Sequence, residues 1–107
     1  MPLTQISLDT IDKLDALIAA SVERPVFIFK HSDTCGISAH ILEQLNDIDG
    51  DINILVVQHD RDVSNAVVDR LGIRHASPQA FVLKGGKPIY HATHYGIDPD
   101  EIAKHLK

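Results

Sequence analysis

Residues 8–20 place Leu8, Ile11, Leu14, Leu17 and Ile18 at spacings of three and four, which predicts an amphipathic helix with Ser7 as its candidate cap. The run Pro25-Val26-Phe27-Ile28-Phe29-Lys30 is continuous and apolar, as expected of a strand buried on both faces. A polar loop, His31-Ser32-Asp33-Thr34, follows. Ile37, Ile41, Leu42, Leu45 and Ile48 then resume helical spacing and predict a helix from about Gly36 to Asp47. Asp47 to Asp51, with Gly50 inside, reads as a turn, and Asn53 to Gln58 as a second buried strand. Val63, Val67, Val68 and Leu71 mark a short helix stopped by Gly72. Gln79–Lys84 and Lys87–His91 read as two strands joined by Gly85-Gly86, a two-residue turn in which both residues need positive φ. Asp98-Pro99-Asp100-Glu101 opens a last helix, with Asp98 as N-cap, Pro99 in the first turn, Glu101 reaching back as in a capping box, and Ile102 and Leu106 as the buried stripe.

The predicted order is α, β, α, β, α, β, β, α. The first two strands are expected to be parallel, joined by a right-handed helical crossover, and the last two to form an antiparallel hairpin. That layout is the one found in thioredoxin-like domains. The expected fold is therefore α/β: one thioredoxin-like domain over residues 1–107, with a four-stranded mixed sheet flanked by helices and an extra N-terminal helix. No repeat, linker or low-complexity tract interrupts it.

Composition narrows the class of activity. The 107 residues carry 10 Lys+Arg, 15 Asp+Glu and 7 His, a formal charge of −5, which argues against a nucleic-acid surface. Seven protonated histidines would turn that charge to +2, so the surface field is expected to respond to acid. The longest runs of large apolar residues fall far short of the roughly 20 needed to cross a bilayer. No basic leader precedes Lys13, so the expected location is the cytoplasm, without a membrane partner. The one cysteine, Cys35, excludes an internal disulfide and a multi-cysteine metal site and suits a reducing compartment.

Cys35 falls where the first predicted strand ends and a helix begins. First-turn N–H groups lack intrahelical partners and the macrodipole is positive there, so a thiolate is favoured at that place. Thr34 and Ser38 add hydroxyls near the sulfur, whereas the Asp33 carboxylate opposes a thiolate unless it caps the helix. A lone cysteine is also a common small core residue; the polar loop before a helix favours the reactive reading. Ser77-Pro78 precedes the third strand, where thioredoxin-like domains carry a cis-proline facing the active cysteine and offer backbone to an extended substrate. His31 and His75 flank this predicted pocket and are candidates for a pH-tuning role. His91 and His94 have the spacing of a helical metal pair but follow a strand, where residues three apart face opposite ways, so no metal site is expected.

Phe27-Ile28-Phe29-Lys30-His31-Ser32 followed by Thr34-Cys35-Gly36-Ile37-Ser38 resembles the YtxJ-like monothiol bacilliredoxins of the bacillithiol system. Ser77-Pro78-Gln79-Ala80, the Gly85-Gly86 hairpin and His91 through Gly96 resemble later segments of that family, so the likeness covers nearly the whole chain. The resemblance implies a thiol-exchange enzyme with Cys35 as nucleophile and Thr34, Gly36, Ile37, Ser38, Ser77 and Pro78 around the substrate. It implies no tightly bound cofactor. Bacillithiol, or a similar low-molecular-weight thiol, would be the co-substrate, and thiol-modified client proteins the partners. One departure is visible: the family has Pro directly after the cysteine, and here Gly36 leaves the helix start more flexible. Two other readings stay open at this level. One is a redox sensor or adaptor in which Cys35 is modified without turnover; the other is a glutaredoxin-like carrier of a thiol or a shared iron–sulfur cluster.

Overall fold

A computed structural model describes residues 3–107 and orders them as β1 (Leu3–Ser7), α1 (Ile11–Ala20), β2 (Val26–His31), α2 (Gly36–Gln44), β3 (Gly50–Val56), α3 (Arg61–Leu71), β4 (Gln79–Lys84), β5 (Lys87–Thr93) and α4 (Pro99–His105). Single 3-10 turns at Leu45–Asp47 and His94–Gly96 follow α2 and β5. The strands form one sheet in the order β1-β3-β2-β4-β5. β3 lies parallel to both β1 and β2, while β4 runs antiparallel to β2 and β5 to β4. No helix among the described residues is long and apolar enough to cross a membrane.

The sheet therefore has five strands, not four. Leu3–Ser7 carries only two apolar residues, and its hydrogen bonds come from the edge of β3, so its own hydropathy holds no strand signal. The same strand displaces the expected cap. Ser7 ends β1, and Leu8 is buried outside the helix with its N–H on Ile54 O at 2.8 Å. The helix begins at Ile11, where Thr10 Oγ1 accepts the Lys13 N–H at 3.1 Å. The second parallel strand also starts earlier than expected, at Gly50 with φ +124°, and ends at Val56 before Val57 and Gln58.

Other local signals hold. Gly72 takes the left-handed conformation after α3 (φ +71°), and Gly85 and Gly86 both have positive φ in the hairpin. Ser21 docks that hairpin on the end of α1: Gly85 N–H donates to its carbonyl (2.7 Å) and Gly86 N–H to its hydroxyl (2.9 Å). Asp98 caps α4 by accepting the Asp100 N–H. The capping box does not close, because the Asp98 N–H donates to Tyr90 Oη at 3.0 Å instead of to Glu101.

Strand alternation divides the core. Val26, Ile28, Phe81 and Leu83 pack with Leu14 of α1 and Val63, Ala66 and Val67 of α3. Phe27, Phe29, Ala80 and Val82 pack on the other face with Ile41 of α2 and Ile102 of α4. Each large side chain so buried contributes roughly 1.5–3 kcal/mol, which is why central β2 reads as an unbroken apolar run. The same alternation sends the next two residues apart: Lys30 goes to the α3 face and His31 to the α2 face.

Candidate active site

The carboxyl end of β2 carries the loop that leads to Cys35. Cys35 occupies the N-cap position of α2 in extended backbone (φ −110°, ψ 115°), and its side chain makes no capping hydrogen bond. Its backbone closes the loop: the Cys35 N–H donates to Ser32 O, and Cys35 O accepts from Ala39 N–H at 3.2 Å. The free thiol is partly exposed. A nucleophilic sulfur at this junction needs open approach and a ring of unspent N–H donors, and the first turn of α2 has both.

Three side chains shape the loop. The buried Ser38 hydroxyl accepts the Ser32 N–H (3.0 Å) and pairs with His31 Nδ1 (2.7 Å). Gln58 accepts the Asp33 N–H (3.1 Å) and donates through Nε2 to Ser32 Oγ (2.7 Å) and Thr34 Oγ1 (3.2 Å). The hydroxyls expected beside the sulfur are thus engaged with the loop. Ser38 is fully buried, so it offers a ligand no surface and acts as a positioning residue. Thr34 and Gly36 are exposed, and Ile37 is half-buried against the α2-side core.

Asp33 does not cap the helix. Its carboxylate oxygens lie 3.6 Å from His31 Nε2 and 3.6 Å from His59 Nε2. Burial nevertheless lowers the His31 pKa, with Asp33 opposing more weakly. Burial lowers the His75 pKa too, reinforced by the positive charges of Lys30 and Arg61. Both histidines, candidates for pH tuning, are therefore biased toward the neutral ring.

Ser77-Pro78 is a cis peptide bond. The antiparallel pairing of Lys30 with Gln79 places Pro78 at the level of His31, where the Cys35 loop leaves β2. Pro78 O accepts the His94 N–H at 3.0 Å, tying this segment to the 3-10 turn after β5. Ser77 is half-buried and Pro78 buried. Fully buried Gln79 holds the approach to them: it accepts the Ala76 N–H (3.2 Å) and donates to Arg74 O (3.0 Å) and His91 Nε2 (2.9 Å). β5 runs past the expected end at His91 to Thr93, and His91 stacks on Phe81.

Gln58, Gln79 and Lys30 were not singled out by sequence. Lys30 alone left a trace, as a charge closing an apolar run; the two glutamines had none, because Gln58 bonds residues 24 to 26 positions earlier and the partners of Gln79 depend on how the loop before β4 folds.

The profile of the family described as monothiol bacilliredoxin BrxC matches residues 6–102. A solved structure described as an inferred oxidoreductase with a thioredoxin fold is 33% identical, superposes with a TM-score of 0.85, and is matched over 97% of this chain and 95% of that one. Thioredoxin from Nicotiana alata is 19% identical with a TM-score of 0.74, covering 100% of this chain and 96% of that one. Thioredoxin from Schistosoma mansoni is 16% identical with a TM-score of 0.75, covering 97% and 99%. The last two likenesses concern the fold.

Proposed function

The chain belongs to the monothiol bacilliredoxin family, and from that premise we propose that it removes bacillithiol, or another low-molecular-weight thiol, from protein mixed disulfides through Cys35. The observation that carries the reading is the placement of the chain's one cysteine. Cys35 is partly exposed at the start of α2, with no side chain of the described residues hydrogen-bonded to its sulfur, and cis Ser77-Pro78 stands level with His31, where the loop to Cys35 leaves β2.

Exchange then balances as follows. The Cys35 thiolate attacks the bacillithiol sulfur of the modified client. The bond between that sulfur and the client cysteine breaks, and the client leaves as a thiolate that takes up a proton. Cys35 is left in a mixed disulfide with bacillithiol. A second low-molecular-weight thiolate attacks the same bacillithiol sulfur, returns Cys35 as thiolate and departs as a symmetric disulfide carrying the oxidation. With one cysteine in the chain, no internal resolving step exists. First-turn N–H groups of α2 are placed to offset negative charge as it forms on either sulfur.

Reduced protein incubated with a bacillithiolated client, with intact masses followed for both, tests this. One bacillithiol should move from client to Cys35 per protein, and Cys35→Ser should abolish the transfer. A client that keeps its adduct in the presence of active, reduced protein would exclude the exchange reading and leave that of a sensor.

A further inference from the structure

Lys30 is the one charged side chain among the described residues that is fully buried. Its Nζ donates to Ser64 O (3.1 Å) and to His75 Nδ1 (3.1 Å), and neither is a carboxylate. The ammonium is hydrogen-bonded, yet its charge is not compensated. Burial draws its pKa down to about 8, which leaves it mostly protonated at neutral pH. An ammonium cannot accept, so the neutral His75 ring accepts through Nδ1 and carries its hydrogen on Nε2.

His75 lines a cavity of about 210 Å³ together with Arg61, Gln58, Asn65, Ser64 and Val57. No carboxylate lines it. Asp60 precedes Arg61 but is turned to the Val56 N–H at 2.9 Å, and Asp33 lies beyond Gln58, facing His31 and His59. Asp62 is exposed in the first turn of α3 and is not among the lining residues. A chain of charge −5 thus holds a pocket whose only ionic groups are cationic or cation-prone. Of the lining residues, Gln58 also bonds Asp33, Ser32 and Thr34 of the loop that leads to Cys35. His75 lies two residues before cis Ser77-Pro78.

We propose that this cavity binds a carboxylate of the low-molecular-weight thiol whose sulfur engages Cys35. Arg61 supplies the ion pair and Gln58, Asn65 and the His75 Nε2–H supply hydrogen bonds. Lys30 adds its fixed charge from behind the ring. The volume admits a carboxylate and a few carbons, not a folded partner. The thiol assignment rests on the exchange reading of Cys35; the anion site itself does not.

Two measurements keep these separable. Succinate titrated into Cys35→Ser protein, which has no thiol, should bind saturably and shift the His75 ring resonances. Arg61→Gln should weaken that binding about tenfold. In the thiol-intact protein, Arg61→Gln should slow attack on glutathione disulfide about tenfold while changing attack on uncharged 2-hydroxyethyl disulfide less than about twofold. Succinate that fails to bind while both disulfides react normally would overturn the anion site and leave exchange standing. Equal slowing of both disulfides would overturn the carboxylate assignment. Succinate binding with neither disulfide reacting would uphold the anion site and overturn its link to a thiol.

Discussion

Ser38 Oγ stands 2.7 Å from His31 Nδ1 while accepting the Ser32 N–H, so one buried hydroxyl joins the end of β2 to the first turn of α2. The geometry suits a neutral His31: the hydroxyl accepts from the backbone and donates its own proton to the ring.

Ser38→Ala should leave the Ser32 N–H and His31 Nδ1 without their partner. The expected loss is about 1–3 kcal/mol, read as a lower denaturation midpoint. Exchange through Cys35 should slow as well, because the loop before the sulfur loosens. An unchanged midpoint would remove Ser38 from the loop's support.

Acid should destabilise the fold below about pH 6.5. Burial lowers the pKa values of His31, His75 and His91 from the ordinary 6.5. As pH falls through 6.5 the unfolded chain takes up protons before the native one, so stability present above 6.5 is lost on the way down to the lowered native values. Denaturant midpoints at about pH 7.5 and 5.5 should differ in the wild type and differ less in His31→Gln. Equal differences in the two proteins would contradict the assignment.

Lys30 works at the opposite end of the pH scale. Its native pKa of about 8 lies below the ordinary 10.5, so between these values the native chain releases a proton that the unfolded chain keeps. Stability from this group therefore rises with pH across that window, by up to roughly 3 kcal/mol. Lys30→Met should abolish the rise and be more stable than wild type at pH 7. A rise that persists in the variant would place its origin elsewhere.

Gly36→Pro should be accommodated and stabilising. An added Cβ at Gly36 meets open space, and Cys35 already has the extended backbone that a following proline demands. The first helical position tolerates loss of its N–H, so a gain of about 0.4–1 kcal/mol is expected from the stiffer unfolded chain. Thermal melts of the two proteins decide it; a lower midpoint would mean that the Gly36 N–H has a structural partner.

What the chain's own pattern settled was local. Helical spacing, the Gly72 and Gly85-Gly86 turns, the Asp98 cap and the strand-to-helix place of Cys35 each depend on neighbours within a turn or two, so they were legible without the fold. Folding decided what depends on distant partners. β1 exists because β3 offers an open edge, not because Leu3–Ser7 is apolar. Lys30 and His31 are adjacent, yet strand alternation sends one to His75, 45 residues away, and the other to Ser38 on the opposite face. Gln58 and Gln79 hold the two sides of the site through partners 24 to 26 and 3 to 12 residues away, and nothing in an isolated amide shows which backbone it will meet. Spacing along a chain encodes which side of an element a residue takes; only packing supplies what waits on that side.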